Sequence, residues 1–448
     1  MALFGTDGAR GIANQDLTAE LAMRIGQAAA ALLEPGSVVV IGRDTRVSGP
    51  MLEAALTAGL TTEGADVVMA GVIPTPALGY LIDNLNARAG VMISASHNPP
   101  EYNGIKLMDR GGRKWPTELE SRVEDGVRDQ KRLRVVGADQ VGGVTRSETL
   151  ALARYQEYLL SIFAGRIRPM KVVVDVAHGA AITTAAPILR ALGLSLVMLN
   201  DDPDGKHINQ HCGATHPNVV REAVLAEEAD VGLSFDGDAD RLIAVDETGH
   251  IVDGDEILYV LAGALKAEQA LVGDTVVATV MSNLGLEKAL GRIGIHLERT
   301  PVGDRWVAAR MRDGGFVLGG EQSGHIIQRR WAETGDGLLT ALALLAQMSR
   351  KERPLSALVG EVERYPQVLH NVNLPRPITD WPREIPGLIE MVARAQRELG
   401  ADGRVLIRPS GTEPLLRIML EGRDASQIGK WADRMATVVN EALQSAKA

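Results

Sequence analysis

The sequence predicts an α/β protein of four domains. Three are similar domains with mixed, mostly parallel sheets, and the fourth is a smaller α+β domain. Continuous apolar runs, typical of strands buried on both faces, alternate with segments of helical spacing. This order of elements occurs three times, and a last segment then reads helix, strand, strand, helix. With 448 residues, the chain is long enough for three or four domains.

The first block begins with apolar residues at helical spacing between positions 17 and 32, and Thr18 can cap the start of that helix. Residues 37–41 (SVVVI) form a continuous apolar run and predict a buried strand. Residues 48–63 predict a second helix. Helices between buried strands imply crossovers in a largely parallel sheet. Two further strands are predicted at residues 66–70 and 90–93.

The second and third blocks repeat this order, and a shorter fourth block follows. Pro375 and Pro377 mark residues 371–380 as a linker before the fourth block. We therefore expect domains at residues 1–150, 151–253, 254–370 and 371–448. The later blocks predict strands at 171–176, 194–199, 230–235, 275–280, 316–318, 404–407 and 415–420, and helices at 185–192, 286–293, 305–312, 385–399 and 425–443.

Composition narrows the classes of protein. The net charge of −10 argues against a general nucleic-acid binder, but an acidic protein can still hold local Arg and Lys for a small phosphorylated substrate. Cys212 is the only cysteine, which excludes an intrachain disulfide and fits the cytoplasm. No signal-peptide profile and no apolar run near the ~20 residues of a membrane span is present. We expect a cytoplasmic monomer or homodimer without nucleic-acid or membrane partners.

Polar loops follow the last strand of each of the first three blocks. They occupy residues 94–99, 236–241 and 319–325. Carboxyl ends of parallel strands are where open α/β sheets bind ligands. Three such loops predict three domains that face one cleft.

The second loop alternates Asp236, Asp238 and Asp240 with small residues. Small spacers let a tight loop turn three carboxylates toward one point, and such hard oxygen ligands suit Mg²⁺. Arg241 could steady the cluster or contact a phosphate. The alternative is a solvated acidic turn.

The first loop carries Ser96, a weak nucleophile that needs activation, which a cation held by the aspartates could supply. His97 and Asn98 could position the loop, although the stretch also fits a simple polar turn. Asn103-Gly104 is a turn signal, and Lys106 beyond it could exchange protons if partly desolvated.

The third loop offers Glu321 and Ser323 for sugar hydroxyls or an amino group, and His325 as acid or base. A capping turn with a hydrogen-bonded histidine is the alternative. In the fourth block, hydroxyls, a glycine backbone and arginines could cradle a phosphate, or form an ordinary turn between two strands. Its residues are Arg408, Ser410, Gly411, Thr412 and Arg417.

Taken in order, these loops resemble the α-D-phosphohexomutase superfamily over essentially the whole chain. The fold implied is four domains around a central cleft, the first three sharing one α/β core. The stretches that carry the resemblance are FGTDGARG at 4–11, SASHNP at 94–99, DGDADR at 236–241, VGDR at 302–305, GGEQSGH at 319–325 and RPSGTEPLLRIM at 408–419.

The resemblance also implies residue roles. Ser96 would carry the catalytic phosphoryl group and bind one Mg²⁺ with the three aspartates. Catalytic roles beside it would fall to Arg10, His97 and Arg241 near the phosphoserine, and to Lys106 and His325 as acid/base groups. Glu321, Ser323, Asp304 and Arg305 would bind the sugar, and Arg408, Ser410, Gly411, Thr412 and Arg417 the phosphate that is not being transferred.

Within the superfamily, the resemblance is nearest to the members that interconvert glucosamine 6-phosphate and glucosamine 1-phosphate. The implied reaction passes through a sugar 1,6-bisphosphate, which also serves as activator, and leads to cell-wall amino sugars. Gln322 favours the amino sugar, whereas residues 100–104 (PEYNG) are closer to relatives acting on glucose or mannose phosphates. His207 stands where the amino-sugar members usually have Asn.

Three alternatives remain at this stage. The first is a phosphoglucomutase or phosphomannomutase. The second is a haloacid-dehalogenase-like phosphatase, whose nucleophile would be an aspartate such as Asp236 and which would leave the serine loop without a role. The third is a non-enzymatic sugar-phosphate sensor, which requires that the chemical residues be lost, and none is.

Overall fold

A computed structural model describes residues 3–5, 7–129, 133–134, 136–376, 380–409 and 414–445. The chain divides into two compact units. The first unit is Met1–Met281 with Gly294–Gly360, and the second is Ser282–Ile293 with Glu361–Ala448.

The first sheet of the first unit has six strands in the order β1-β5-β4-β2-β3-β6. Strand β2 pairs in parallel with β3 and β4, whereas β5 and β1 add antiparallel strands at one edge. Strands β2, β3 and β4 confirm the three predicted from apolar runs. The strands are β1 (Ala9–Ile12), β2 (Val38–Arg43), β3 (Asp66–Val72), β4 (Ala89–Ile93), β5 (Tyr102–Met108) and β6 (Val144–Arg146).

Helices α1 and α2 confirm the two predicted in the first block. Oγ1 of Thr18 accepts the backbone N–H of Leu21 at 3.1 Å, so this threonine caps α1 as expected. Val39, Ile41 and Val67 pack with apolar residues of α1 and α2 in one core. The helices are α1 (Ala19–Ala30), α2 (Gly49–Thr62), α3 (Thr75–Asn84), α4 (Thr117–Arg128) and α5 (Glu148–Phe163).

The turn predicted at Asn103-Gly104 is wrong, because both residues lie inside β5. A Cβ at Gly104 would lie 2.5 Å from the carbonyl oxygen of Ser94, so glycine lets the strand pass close to the serine loop. The side chain of Asn103 accepts the N–H of Gly104 and donates to Ser48. Local turn chemistry was outweighed by pairing on both edges of the strand.

The second sheet has the order β11-β10-β9-β7-β8, with β7 parallel to β8 and β9. Its predicted strands and helix are confirmed within about two residues of their bounds. The elements are β7 (Lys171–Asp175), α6 (Ala185–Ala191), β8 (Ser195–Leu199), α7 (Asn218–Glu227), β9 (Val231–Phe235), β10 (Leu242–Asp246) and β11 (Ile251–Val252).

The third sheet has the order β13-β12-β14-β15, with β12 parallel to β13 and β14. The strand predicted at 316–318 begins two residues later, as β14. The elements of this part of the first unit are α8 (Gly254–Ala267), β12 (Thr275–Thr279), β13 (His296–Thr300), α10 (Asp304–Gly314), β14 (Leu318–Gly320), β15 (Ile326–Gln328), α11 (Gly337–Lys351) and α12 (Leu355–Val359). Helix α9 (Leu284–Arg292) belongs to the second unit.

Each of the three sheets ends its parallel part in an antiparallel pair. The pairs are β4 with β5, β9 with β10, and β14 with β15. The polar loops identified from sequence are the connections within these pairs. Each loop is therefore held between two hydrogen-bonded strands, which limits its freedom at both ends.

The second unit contains an antiparallel sheet in the order β16-β18-β17. The linker predicted at 371–380 is wrong for residues 371–373, which pair with β18 as the end of β16; the two prolines follow the strand. Residues 377–379 of that linker lie outside the described residues. The elements are β16 (Gln367–Asn373), α13 (Trp381–Glu384), α14 (Pro386–Leu399), β17 (Gly403–Pro409), β18 (Leu415–Gly422) and α15 (Ala425–Ser445).

Three mixed α/β sheets and a smaller antiparallel fourth sheet confirm the predicted fold class. The residue bounds of the domains and their arrangement around a cleft stay predictions. Across the described part of the chain, none of the helices combines the length and apolar character needed to span a bilayer.

Candidate active site

The three polar loops of the first unit come together in space. Oγ of Ser96 donates a hydrogen bond to Oδ2 of Asp236 at 2.7 Å, which joins the first loop to the second. Nδ1 of His325 lies 3.4 Å from Oδ2 of Asp240, which joins the third loop to the second. The structure thus brings residues from three sheets into one site.

The centre of this site is strongly acidic. Asp236, Asp238 and Asp240 are buried, and each offers a carboxylate oxygen within 4.8 Å of the others. Burial raises the pKa of Asp236 well above its ordinary value, and the charges of Asp240 and Asp238 raise it further. The Oδ1 atoms of Asp238 and Asp240 are buried without a hydrogen-bond partner. Such a cluster needs positive charge, and its oxygen donors fit Mg²⁺.

Ser96 is buried and has a backbone φ of 52°, in the left-handed region. Nδ1 of His97 lies 3.3 Å from its hydroxyl. Burial lowers the pKa of His97 to about 4, and the positive charges of Arg241 and Arg10 act in the same direction. His97 is therefore neutral at pH 7. The positive charges next to the serine loop are those of Arg10 and Arg241.

Those two arginines flank the serine loop. Nη1 of Arg10 donates to Oδ1 of Asn98 at 3.0 Å, and its guanidinium pairs with Asp7. The backbone N–H of Arg241 donates to Oδ1 of Asp236 at 3.2 Å, and Nε lies 4.0 Å from the other oxygen of that carboxyl. Arg10 is thus held beside Asn98 of the serine loop, and Arg241 beside the carboxyl group that accepts from Ser96.

Lys106 points from β5 into the acidic cluster. It is buried, with Nζ 2.8 Å from Oδ2 of Asp238 and 3.4 Å from Oδ2 of Asp7. Burial alone would lower the pKa of Lys106, yet the two carboxylates raise it above the ordinary lysine value. The carboxylates around Lys106 thus favour its charged form, and its role as an acid/base group stays a prediction.

His325 lies between two carboxylates. Nδ1 faces Asp240, and Nε2 lies 3.9 Å from Oδ2 of Asp304 while accepting the N–H of Gly335 at 3.2 Å. Burial would lower the pKa of His325, but Asp240 and Asp304 raise it to about 9. When Nε2 is protonated as well, it can no longer accept the N–H of Gly335, and the positive imidazolium is instead attracted to Asp304.

Asp7 and Lys114 extend the charges into a chain that sequence reasoning missed. Nζ of Lys114 pairs with Asp7 and lies 2.7 Å from Oδ2 of Asp304. Burial opposes charge on Lys114, but Asp304 and Asp7 raise its pKa. Asp7 could have been found from sequence, because it lies within the FGTDGARG stretch. Lys114 follows β5, and no local sequence pattern marks it as a functional residue.

The residues predicted to bind the sugar occupy different positions around the third loop. Oε1 of Glu321 accepts the N–H of Gly303 at 3.1 Å, which ties the third loop to the VGDR stretch. Ser323 is exposed. Arg305 is turned toward the first domain, where Nη1 donates to Oγ1 of Thr117 at 3.0 Å.

In the second unit, Arg408 and Arg417 are directly opposite each other on β17 and β18. Burial lowers the pKa of Arg408, and Arg417 lowers it further. The two guanidinium groups therefore start from neighbouring positions on adjacent strands. Ser410, Gly411 and Thr412 lie outside the described residues.

Sequence reasoning also missed Asp44, Arg46 and Asn209, which hold the serine loop. Asp44 and Arg46 directly follow β2, so their place at the carboxyl end of a parallel strand was a usable signal. Asn209 reaches the serine loop over 113 residues of sequence and had no such signal.

Comparison with known proteins gives the family. A curated phosphoglucosamine mutase of Thermoanaerobacter pseudethanolicus is 47% identical over 445 residues, covering 98% of this chain and 99% of that protein. Another, from Symbiobacterium thermophilum, is 49% identical over 449 residues, covering 99% of both chains. The chain belongs to the phosphoglucosamine mutase family.

Models of the phosphoglucomutase/phosphomannomutase domains match in the same order. The alpha/beta/alpha domains I, II and III match residues 1–134, 153–249 and 253–365, and the C-terminal domain matches 369–438. A solved phosphoglucomutase/phosphomannomutase family protein from Burkholderia thailandensis is 27% identical with a TM-score of 0.80, covering 100% of this chain and 98% of that one. The family consists of isomerases, so the phosphatase and sensor alternatives lose their support.

Proposed function

We propose that the chain interconverts glucosamine 6-phosphate and glucosamine 1-phosphate with Ser96 as the phosphoryl carrier. One observation carries this mechanism. The hydroxyl of Ser96 is fixed at 2.7 Å from a carboxylate of a buried three-aspartate cluster, where phosphate, cation and serine oxygen can share one site. The reaction would supply precursors for UDP-N-acetylglucosamine and the cell wall.

Phosphoryl transfer then proceeds in two halves. The bond between phosphorus and Oγ of Ser96 breaks as a sugar hydroxyl forms a bond to phosphorus, and the hydroxyl proton passes to a base. The resulting sugar 1,6-bisphosphate returns its other phosphoryl group to Ser96, whose oxygen forms the new bond while the second sugar oxygen recovers a proton. The two acid/base candidates are His325 and Lys106, of which His325 has the pKa nearer neutrality.

One Mg²⁺ would be held by Asp236, Asp238, Asp240 and an oxygen on Ser96. It would supply the positive charge that the buried carboxylates lack and stabilise charge on the transferred group. Arg10 and Arg241 would also stabilise that charge, and His97 would position the loop.

We assign the sugar to Glu321, Ser323, Asp304 and Arg305. The phosphate that is not transferred is assigned to Arg408, Ser410, Gly411, Thr412 and Arg417. The placement of Arg408 and Arg417 side by side on neighbouring strands supports that assignment, because guanidinium groups bind phosphate oxygens in a bidentate manner.

Sugar 1,6-bisphosphate is proposed as activator because it phosphorylates Ser96. The lone cysteine and the sugar-phosphate substrate support a cytoplasmic location. We retain the proposal of a monomer or homodimer.

A sugar-phosphate panel tests the substrate. With Mg²⁺ and glucose 1,6-bisphosphate present, kcat/KM for glucosamine phosphate is expected to exceed that for glucose and mannose phosphates by at least about 100-fold. A preference for glucose or mannose phosphate would assign the chain to the phosphoglucomutase/phosphomannomutase alternative, which residues 100–104 favour.

A further inference from the structure

The backbone of Ser96 is held in a conformation that serine avoids. Its φ of 52° is unfavourable for a residue with a Cβ atom, so the surroundings must enforce it. Its N–H donates to Oγ of Ser94 at 2.9 Å, and that hydroxyl donates to Oδ2 of Asp44 at 2.6 Å. The nitrogen side of the serine is therefore anchored within the first domain.

The carbonyl side is anchored by two donors from different domains. The carbonyl oxygen of Ser96 accepts from Nη2 of Arg46 at 3.1 Å and from Nδ2 of Asn209 at 2.8 Å. The carbonyl oxygen of Asn98 accepts from the same two groups, at 2.8 and 3.0 Å. Arg46 and Asn209 thus bridge the same pair of carbonyls.

Arg46 is fully buried and is oriented by Asp44, whose Oδ2 accepts its Nε–H at 2.9 Å. Its Nη1 also donates to the carbonyls of Pro99 and Tyr102. This side chain holds the whole serine loop by its backbone, without contact to Oγ of Ser96.

Asn209 adds a link to the acidic loop. It belongs to the second sheet's domain, where its N–H donates to the carbonyl of Ala177 at 3.0 Å. A Cβ at Gly237 would lie 2.6 Å from the carbonyl oxygen of Ser96 and 2.8 Å from Nδ2 of Asn209. The backbone of the acidic loop therefore packs against the same carbonyl that Asn209 holds.

We propose that Asn209 is a positioning residue for phosphoryl transfer, which fixes Ser96 in its left-handed conformation relative to the acidic loop. This rests on the proposed function. Phosphorylation adds a charge of about −1.5 to −2 at Ser96, and transfer to the sugar removes that charge again in every catalytic cycle. A loop free to relax would carry Oγ away from the cluster, whereas a preorganised loop keeps the reacting geometry in both states.

The test is Asn209→Gly. Asn209 itself has a φ of 59°, which glycine adopts without strain, so the substitution removes the amide and leaves the local backbone unstrained. Phosphoserine enzyme is mixed with glucosamine phosphate and quenched on the millisecond scale. The transfer rate is expected to fall about 10- to 100-fold, while KM for the sugar phosphate changes less than about threefold.

A second variant, Asn209→Asp, keeps the size of the side chain but turns a carboxylate toward two carbonyl oxygens. It is expected to reduce the transfer rate further than Asn209→Gly does. The control is Asn86→Gly, an exposed asparagine with a φ of 50° and no hydrogen bond to the serine loop, which should match wild type.

Two results overturn the inference. One is a wild-type transfer rate in Asn209→Gly. The other is a loss confined to KM, which would place Asn209 in sugar binding. Either is distinguishable from failure of the proposed function, because in that case the wild-type protein would not carry a phosphoryl group on Ser96.

Discussion

At the residue scale, the site is dominated by buried negative charge. Asp236 accepts from Ser96, Asp238 pairs with Lys106, and Asp240 pairs with His325 and Arg241. Even with these cations nearby, burial and the charges of Asp240 and Asp238 raise the pKa of Asp236 well above its ordinary value. Isolated buried charges cost several kcal/mol each even after relaxation. A divalent cation offsets that cost, so metal binding to the cluster should also stabilise the folded protein.

Asp236→Asn is therefore expected to raise stability while it abolishes most activity. Without metal, removing one of three repelling carboxylates should raise Tm by about 1–3 °C in EDTA. The Mg²⁺ concentration for half-maximal activity should rise at least about 10-fold. Differential scanning calorimetry with EDTA or Mg²⁺ and a metal titration of activity measure the two effects.

The matched control is Asp246→Asn, a buried aspartate on β10 of the same sheet. Its Oδ1 accepts from the N–H groups of Thr248 and His250 and from the Thr248 hydroxyl, so its charge is compensated. That variant should lower Tm in EDTA. If Asp236→Asn lowers Tm to the same extent, the cluster is not under repulsion.

The acidic triad could be predicted from the sequence because small residues separate its three aspartates. Ser96 could be predicted because it follows a buried strand. The sequence could not show Asn209, since a hydrogen bond across 113 residues leaves no periodic trace. Nor could it show which carboxylates surround Lys106, although the sign of the pKa shift of a buried amine depends on them.

At the element scale, each reactive loop joins a parallel strand to an antiparallel neighbour. Apolar runs predicted the parallel strands β2, β7 and β12, because strands covered on both faces are continuously apolar. The polar partner β5 was missed, since its Asn-Gly pair imitates a turn. Strand β16 was missed because three of its four exposed positions, Gln367, Asn371 and Asn373, are polar and Pro375 follows it in the sequence.

Helix α11 provides a pH-dependent test of this packing. Its cap, Asp336, accepts the N–H of Leu339 at 2.9 Å and the hydroxyl of Tyr155 at 2.8 Å. Burial raises the pKa of Asp336 to about 6 in spite of these hydrogen bonds. Because the folded pKa lies above the unfolded one, ionising Asp336 costs stability as pH rises from about 4 through 6, and the cost is complete above that range.

The side chain in Asp336→Asn cannot ionise, so the stability of this variant relative to wild type should increase as pH rises. The free energy of unfolding of the variant minus that of wild type is expected to be about 2 kcal/mol larger at pH 8 than at pH 4.5. Denaturant unfolding at the two pH values measures the difference. A pH-independent difference would show that Asp336 keeps an ordinary pKa.

At the scale of the whole molecule, a chain of alternating charges connects three sheets of the first unit. It runs from Asp238 through Lys106, Asp7, Lys114 and Asp304 to His325 and on to Asp240. The fold class could be predicted from repeated blocks, but this chain could not, because its members become neighbours only when three domains assemble.

The central claim is that Ser96 carries the transferred phosphoryl group. The most direct test is mass spectrometry of the intact protein and of the Ser96 peptide after incubation with glucose 1,6-bisphosphate and Mg²⁺, with Ser96→Ala alongside. We predict one phosphoryl group per chain, on Ser96, that is lost to glucosamine phosphate, and an inactive variant that stays unmodified. A phosphoryl group on Asp236, or normal turnover by Ser96→Ala, would contradict the account.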